Sequence, residues 1–185
     1  LAEGIAVKFP GKLTKPIIEK FVDDILLVDE AHIERAISSI VEHQRLVVEG
    51  AGAAGVACIL QHPEKFEGKK CGIVLCGGNI DPRLLAGVLN RSMARDGRIV
   101  RLRIEISDEP GMLASISTAI GNCKGNIVEI FHQRMFHDVP AKLAKIDAVV
   151  ETRGEEHVNE IVLALEKRSF KVAVLSGTQD GTTVK

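Results

Sequence analysis

The sequence predicts two unlike architectures in series: a piece of an α/β body over residues 1–97, then an α+β domain of order β-α-β-β-α-β over residues 98–185. Three observations carry that reading. The apolar run at residues 71–75 stops at Cys76-Gly77-Gly78-Asn79, and Asp81-Pro82 then opens a helix, so a glycine pair sits where strand turns into helix. Glycines there let something flat approach the backbone, at the carboxyl end of a buried strand where open α/β sheets bind ligands. From residue 98 the periodicity changes: Val100, Leu102, Ile104 and Ile106 alternate with Arg101, Arg103 and Glu105, the pattern of a half-exposed strand. Finally, the first half offers only two short strands, too few to cover both faces and both neighbours of a parallel sheet. It is therefore expected to expose apolar surface or to pair with another copy.

Taken in order, residues 9–16 are punctuated by Phe9-Pro10-Gly11 and Lys15-Pro16, and residues 25–28 read as a short apolar strand. Asp29 is placed to cap a helix running to about residue 45, with Ile33, Ala36, Ile37 and Ile40 at helical spacing. Small residues on every face of residues 50–60 predict a helix packed tightly inside a larger body. A strand at 71–76 and a helix from Pro82 to about Arg95, with Leu84, Leu85, Val88 and Leu89 as its stripe, complete this half.

In the second half, Asp108-Glu109-Pro110-Gly111 turns into a helix with Leu113, Ile116 and Ile120 on one side, and Gly125-Asn126 ends the connection. Strands follow at about 127–135 and 145–152, joined by a loop containing Asp138-Val139-Pro140. Gly154-Glu155-Glu156 starts a second helix, acids at its positive end, with Val158, Ile161, Val162 and Leu165 inward. Residues 170–175 are the last strand. This is the ferredoxin-like split unit.

Composition excludes several functions. Residues 1–97 carry 12 basic and 13 acidic side chains and residues 98–185 carry 12 of each, so neither half attracts nucleic acid or an anionic membrane by bulk charge. No stretch of about 18 apolar residues exists. The four cysteines, Cys58, Cys71, Cys76 and Cys123, lack C-x-x-C spacing and read as buried thiols. The two strands expected at the centre of the sheet contain no aromatic residue on which a base could stack. His132 and His137 have no carboxylate or thiol at ligand spacing, so no metal site is expected. Gly50-Ala51-Gly52-Ala53-Ala54-Gly55 spells G-x-G-x-x-G, but no acid closes a second strand about 20 residues on. Close helix packing accounts for it instead.

Together, Cys76-Gly77-Gly78-Asn79-Ile80-Asp81, Glu49-Gly50-Ala51-Gly52-Ala53 and the opening Ala2-Glu3-Gly4-Ile5-Ala6-Val7 resemble the C-terminal third of the catalytic domain of threonine dehydratases, which share a pyridoxal-phosphate type II fold with serine dehydratase and racemase. The resemblance implies that Cys76 faces the pyridine nitrogen, where a neutral thiol cannot hold that nitrogen protonated as a carboxylate would, so the ring is a milder electron sink. It also places Gly77, Glu49 and Gly4 in the same cofactor wall. A strand-end thiol is the other reading of Cys76, and a helix N-terminal acid that stabilises the macrodipole is the other reading of Glu49. Leu1 reads like a cut edge: the Schiff-base lysine, the phosphate loop and every catalytic residue of the family belong to sequence before it. These residues alone are therefore expected to be inactive and to hold no pyridoxal phosphate.

Asp108-Glu109-Pro110-Gly111 with Asn126-Ile127 resembles the amino-acid-binding turn of ACT domains. The resemblance implies an effector held by Asp108, Glu109, Gly111, Met112, Leu113, Asn126 and Ile127, between two ACT copies in a dimer or tetramer. A helix-entry turn that binds nothing is the alternative. The function implied is a cytoplasmic L-threonine ammonia-lyase, giving 2-oxobutanoate and ammonia under amino-acid control, as in isoleucine biosynthesis. A serine dehydratase or racemase, or a stand-alone amino-acid-binding module, stays open.

Overall fold

Alternation in the second half becomes a sheet because each inward residue of its first strand meets a helix stripe. In the computed structural model residues 1–133 and 143–175 are described, and the chain divides into two units, Leu1–Ser92 and Met93–Lys185. The second unit contains β1 (Ile99–Ser107), α6 (Met112–Asn122), β2 (Asn126–Gln133), β3 (Leu143–Glu151), α7 (Glu155–Glu166) and β4 (Lys171–Leu175). The sheet order is β2-β3-β1-β4, with every neighbouring pair antiparallel, so the expected ferredoxin-like order is formed. Val100, Leu102, Ile104 and Ile106 pack with Ile116, Ala119 and Ile120 of α6 and Val158, Ile161 and Leu165 of α7.

Leu113 departs from its expected inward place and is 39% exposed. The buried stripe passes instead through Ile116, Ala119 and Ile120, with Met112 packed against the same core. Spaced three and four apart from Met112, these positions share one face and leave Leu113 at its edge. The expected strand end at Met135, the loop at Asp138-Val139-Pro140, and Phe136 and His137 lie outside the described residues.

One buried histidine fastens the helices. The Nδ1 of His157 accepts from the Arg153 amide at 3.1 Å, and its Nε2 lies 2.6 Å from the Cys123 carbonyl oxygen. An amide donor on one side and a carbonyl acceptor on the other require the neutral ring with its proton on Nε2.

The first unit is helical: α1 (Thr14–Phe21), α2 (Glu30–Ser39), α3 (Gly50–Gln61), α4 (Pro63–Phe66) and α5 (Pro82–Arg95, whose last residues fall in the second unit). Asp29 caps α2 by accepting the His32 amide at 2.8 Å. Its helix stops short of residue 45, passing through a π-helical turn at Ile40–Gln44 before Arg45 takes a left-handed φ of 58°. The core is Ile33, Ala36, Ile37, Ile40, Val48, Ala53, Ala57 and Val88.

Two expectations are corrected here. Residues 25–28 and 71–76 form no strand, because neither finds a ladder partner among the described residues and an isolated extended segment has no hydrogen bonds to gain. The Pro- and Gly-punctuated entry leads into α1, with Pro16 in its first turn, where no intrahelical N–H is needed. The apolar exposure expected of this half is present: Val7, Phe9, Leu13, Phe21, Leu27 and Val74 all face solvent.

The sheet face away from the helices carries one buried charge. Asp147 on β3 is fully covered, taking bonds from Arg101 Nη2 at 2.6 Å and from Arg103 Nε and Nη2 at 2.8 and 2.9 Å. Arg101 also lies over the Phe131 ring, 5.7 Å from its centroid. The Arg103 fork, with Arg101 adding to it, holds the Asp147 carboxyl below its ordinary value of 3.8. A depressed folded value means stability present above the unfolded value and lost as pH falls through the folded one. Denaturation across pH 2–7 is expected to show an acid limb that Asp147→Asn flattens. At neutral pH the same variant is expected to lose roughly 1–2 kcal/mol, since both arginines are partly screened by water.

Candidate functional site

The start of α3 gathers the residues singled out in the sequence. Glu49 occupies the N-cap position with an extended backbone, and its side chain makes no cap bond. Its amide instead donates to the Gly77 carbonyl at 2.8 Å, which hangs the Cys76-Gly77 turn on the helix. Gly77 has φ +71°, and a Cβ added there would lie 2.6 Å from the Glu49 carboxyl carbon and 2.8 Å from its Cγ. A Cβ on Gly4 would come within 3.6 Å of Glu49 Oε1 and 3.3 Å of Ala51 Cβ. One carboxylate thus faces two glycines from opposite ends of the unit. Cys76 is exposed, which corrects the expectation of buried thiols: Cys71 is exposed too, and Cys58 and Cys123 are half-buried.

A cleft of about 690 Å³ opens beside this cluster, lined by Gly4, Glu49, Ala51, Asn79, Asp81 and Arg91 among others. Cys76 and Gly77 are not part of its lining. Glu3, Glu30 and Glu34 also border it, so carboxylates dominate. Arg91 is committed to Glu34 through a two-point bond of 3.0 and 2.7 Å, which raises the guanidinium above its ordinary range. Asp81 accepts the Leu84 amide at 3.0 Å at the start of α5. Such a wall suits a ring or an ammonium group and repels a phosphate.

The G-x-G-x-x-G of α3 is covered by the chain itself. Side chains at Gly50, Gly52 and Gly55 would meet Leu1, Cys76 and Ile73 respectively, so no pyrophosphate reaches these glycines. Among the described residues no group of three His, Cys, Asp or Glu side chains is placed to hold a metal.

In the second unit the residues assigned to an effector separate into two sets. Asp108, Glu109 and Gly111 are exposed at the end of β1, Gly111 has φ +90° with nothing within 4 Å of where its Cβ would be, and Met112 and Leu113 follow in α6. Asn126 and Ile127 start β2, where the Asn126 side-chain Nδ2 donates to Glu151 Oε2 at 3.1 Å and Ile127 packs against the core. The register puts Asn126 across from Glu151, and Glu151 across from Ile99, the opposite end of β1 from Ser107. The length of a strand therefore divides the sets, about 26 Å at roughly 3.3 Å per residue.

A model of pyridoxal-phosphate-dependent enzymes matches residues 1–77, and an ACT-domain model matches residues 96–169. The chain is thus similar to pyridoxal-phosphate-dependent enzymes in its first part and to ACT domains in its second. It is 38% identical to an L-threonine ammonia-lyase of Thermotoga maritima and 40% identical to one of Geobacter sulfurreducens, each over 95% of this chain and 43% and 44% of the relative. An L-threonine dehydratase of Haemophilus influenzae, named as biosynthetic, is 29% identical over 95% of this chain and 33% of its own length. The chain thus spans less than half the length of these relatives.

Sequence reasoning missed the Asp147 and His157 networks and the Arg91–Glu34 pair. Apart from the Arg153–His157 bond, which spans four positions, the partners are 34 to 57 positions apart, so no local motif marks them. The glycine geometry is testable directly. Gly77→Ala is expected to destabilise the chain by about 1–2 kcal/mol through its left-handed φ alone, with further loss from displacing Glu49. Gly78→Ala, whose Cβ meets only the Val47 carbonyl oxygen at 3.6 Å, is expected to stay within about 0.5 kcal/mol in denaturant titrations.

Proposed function

We propose that residues 1–97 form one wall of the cofactor site of a pyridoxal-phosphate-dependent L-threonine ammonia-lyase and that residues 98–185 are its amino-acid-sensing domain. The observation that carries this reading is the convergence of Gly4 and Gly77 on the Glu49 carboxylate, beside an exposed Cys76. The residues present fit the ring side of the cofactor. They offer a flat backbone surface, a thiol and a carboxylate, and no seat for its phosphate.

Cys76, Gly77, Glu49 and Gly4 would hold the group, which when bound supplies an electron sink to the amino acid's α-carbon. The Cys76 thiol offers the pyridine nitrogen a hydrogen bond without a formal charge. Gly77 and Gly4 leave room for the Glu49 carboxylate, which would then border the bound group. Glu49, fixed through its own amide to Gly77, would orient the cofactor or the substrate. Threonine as substrate is favoured over serine by the names of the relatives.

For the second unit the proposal is an effector site completed by two copies, Asp108, Glu109, Gly111, Met112 and Leu113 from one and Asn126 and Ile127 from the other. No small amino acid spans the length of β1, so one copy cannot close both sets on it. Control then requires that the effector bind more tightly to one state of the oligomer than to another. The setting proposed is cytoplasmic, in the supply of 2-oxobutanoate for isoleucine. Among the described residues no helix is long and apolar enough to cross a membrane.

With pyridoxal phosphate bound, the enzyme bearing these residues is expected to release 2-oxobutanoate and ammonia from L-threonine faster than it deaminates L-serine. No turnover in the loaded enzyme, or the reverse preference, overturns the assignment. Calorimetry of the chain against isoleucine, valine, threonine and serine, paired with sedimentation, is expected to show binding that follows the dimer and weakens about tenfold in Gly111→Ala, whose φ disfavours a side chain. Flat titrations throughout remove the sensing role.

A further inference from the structure

We propose that Gly52, with Gly55 one turn later, is a positioning residue that sets how closely the Cys76-Gly77 turn lies on α3. Gly52 is buried, and a Cβ added to it would overlap the Cys76 carbonyl oxygen and sit 2.9 Å from the Cys76 carbonyl carbon and 3.4 Å from its nitrogen. Those are backbone atoms, with no rotamer by which to move aside. A Cβ on Gly55 would meet the Ile73 Cγ2 at 2.8 Å, the end of a side chain that can turn away. Gly52 and Gly55 are spaced three apart and share a face of the helix. Residues 73–76 therefore lie along a track on α3 from which side chains are missing, and the contact is strictest at Cys76.

Helix propensity argues the same way. Glycine is a poor interior helix residue, and alanine would strengthen α3 if nothing needed to come so close. What the glycine permits is a fixed depth for the Cys76 backbone. From that depth Gly77 reaches the Glu49 amide at 2.8 Å and leaves the Glu49 carboxyl against Gly77 and Gly4. A methyl group at position 52 pushes the turn outward and breaks this register. Its meaning for catalysis rests on the reading of Cys76 and Glu49 as cofactor wall; the positioning itself does not.

The test uses the full chain and needs no cofactor. Hydrogen exchange at the Glu49 amide reports the bond to Gly77, and Gly52→Ala is expected to speed it by roughly tenfold or more, as a protected amide opens locally. Gly55→Ala is expected to produce a smaller acceleration that Ile73→Ala reverses in the double variant. Gly87→Ala on α5, whose Cβ would meet only Arg91 Nη1 at 3.5 Å, is expected to leave Glu49 exchange unchanged and to raise the melting temperature. Unchanged exchange in a folded Gly52→Ala overturns the proposal. If that variant does not fold, failure of Ile73→Ala to rescue Gly55→Ala overturns it. The cofactor reading is separated by adding pyridoxal phosphate to the enzyme bearing Cys76→Ser: an unaltered absorption spectrum counts against that reading and leaves the exchange result standing.

Discussion

Backbone resting directly on a helix is the constraint from which the candidate site follows. α3 presents glycine where another segment of main chain must lie flush, at Leu1 and Ala2 and at Cys76. Main chain cannot rotate out of a clash as a side chain can, so these contacts fix depth more strictly than ordinary core packing does. Because the turn at residues 76–77 and the strip at residues 1–4 are both referenced to one helix end, a single carboxylate at that end faces both. Sequence separation of more than 70 positions becomes one surface.

The second unit uses a different device. Its sheet is held by alternation, with the apolar side of β1 sealed by two helices and the polar side left to cross-strand pairs. The helix pair is fastened at one end by His157 acting between the Arg153 amide and the Cys123 carbonyl. The turn after β1 is exposed, and Gly111 in its left-handed conformation has open space where a Cβ would stand. A loop positioned by a rigid sheet yet not buried by it is where ligand recognition is commonly found.

What the sequence disclosed depended on how local the signal was. The alternation at residues 100–106, the Asp29 cap and the acid-led start of α7 are written in neighbouring residues, and all three are present. Residues 25–28 and 71–76 carry the composition of buried strands but form none, since a strand exists only with a partner and composition cannot supply one. The grouping of Gly4, Glu49 and Gly77 was legible through resemblance alone; nothing in their spacing predicts that they meet. Asp147 was invisible for the complementary reason. Its two arginines are local to each other, but the register that brings the carboxylate between them is a property of the folded sheet.

That arrangement at Asp147 has an evolutionary corollary. A fully covered carboxylate with two guanidinium partners is tolerable only while its partners remain, so the three positions are not free to drift singly. Replacing all three by apolar residues is a viable end point, but each single step toward it leaves a charge behind. The three positions are therefore energetically coupled, and the cost of replacing one depends on whether the others remain.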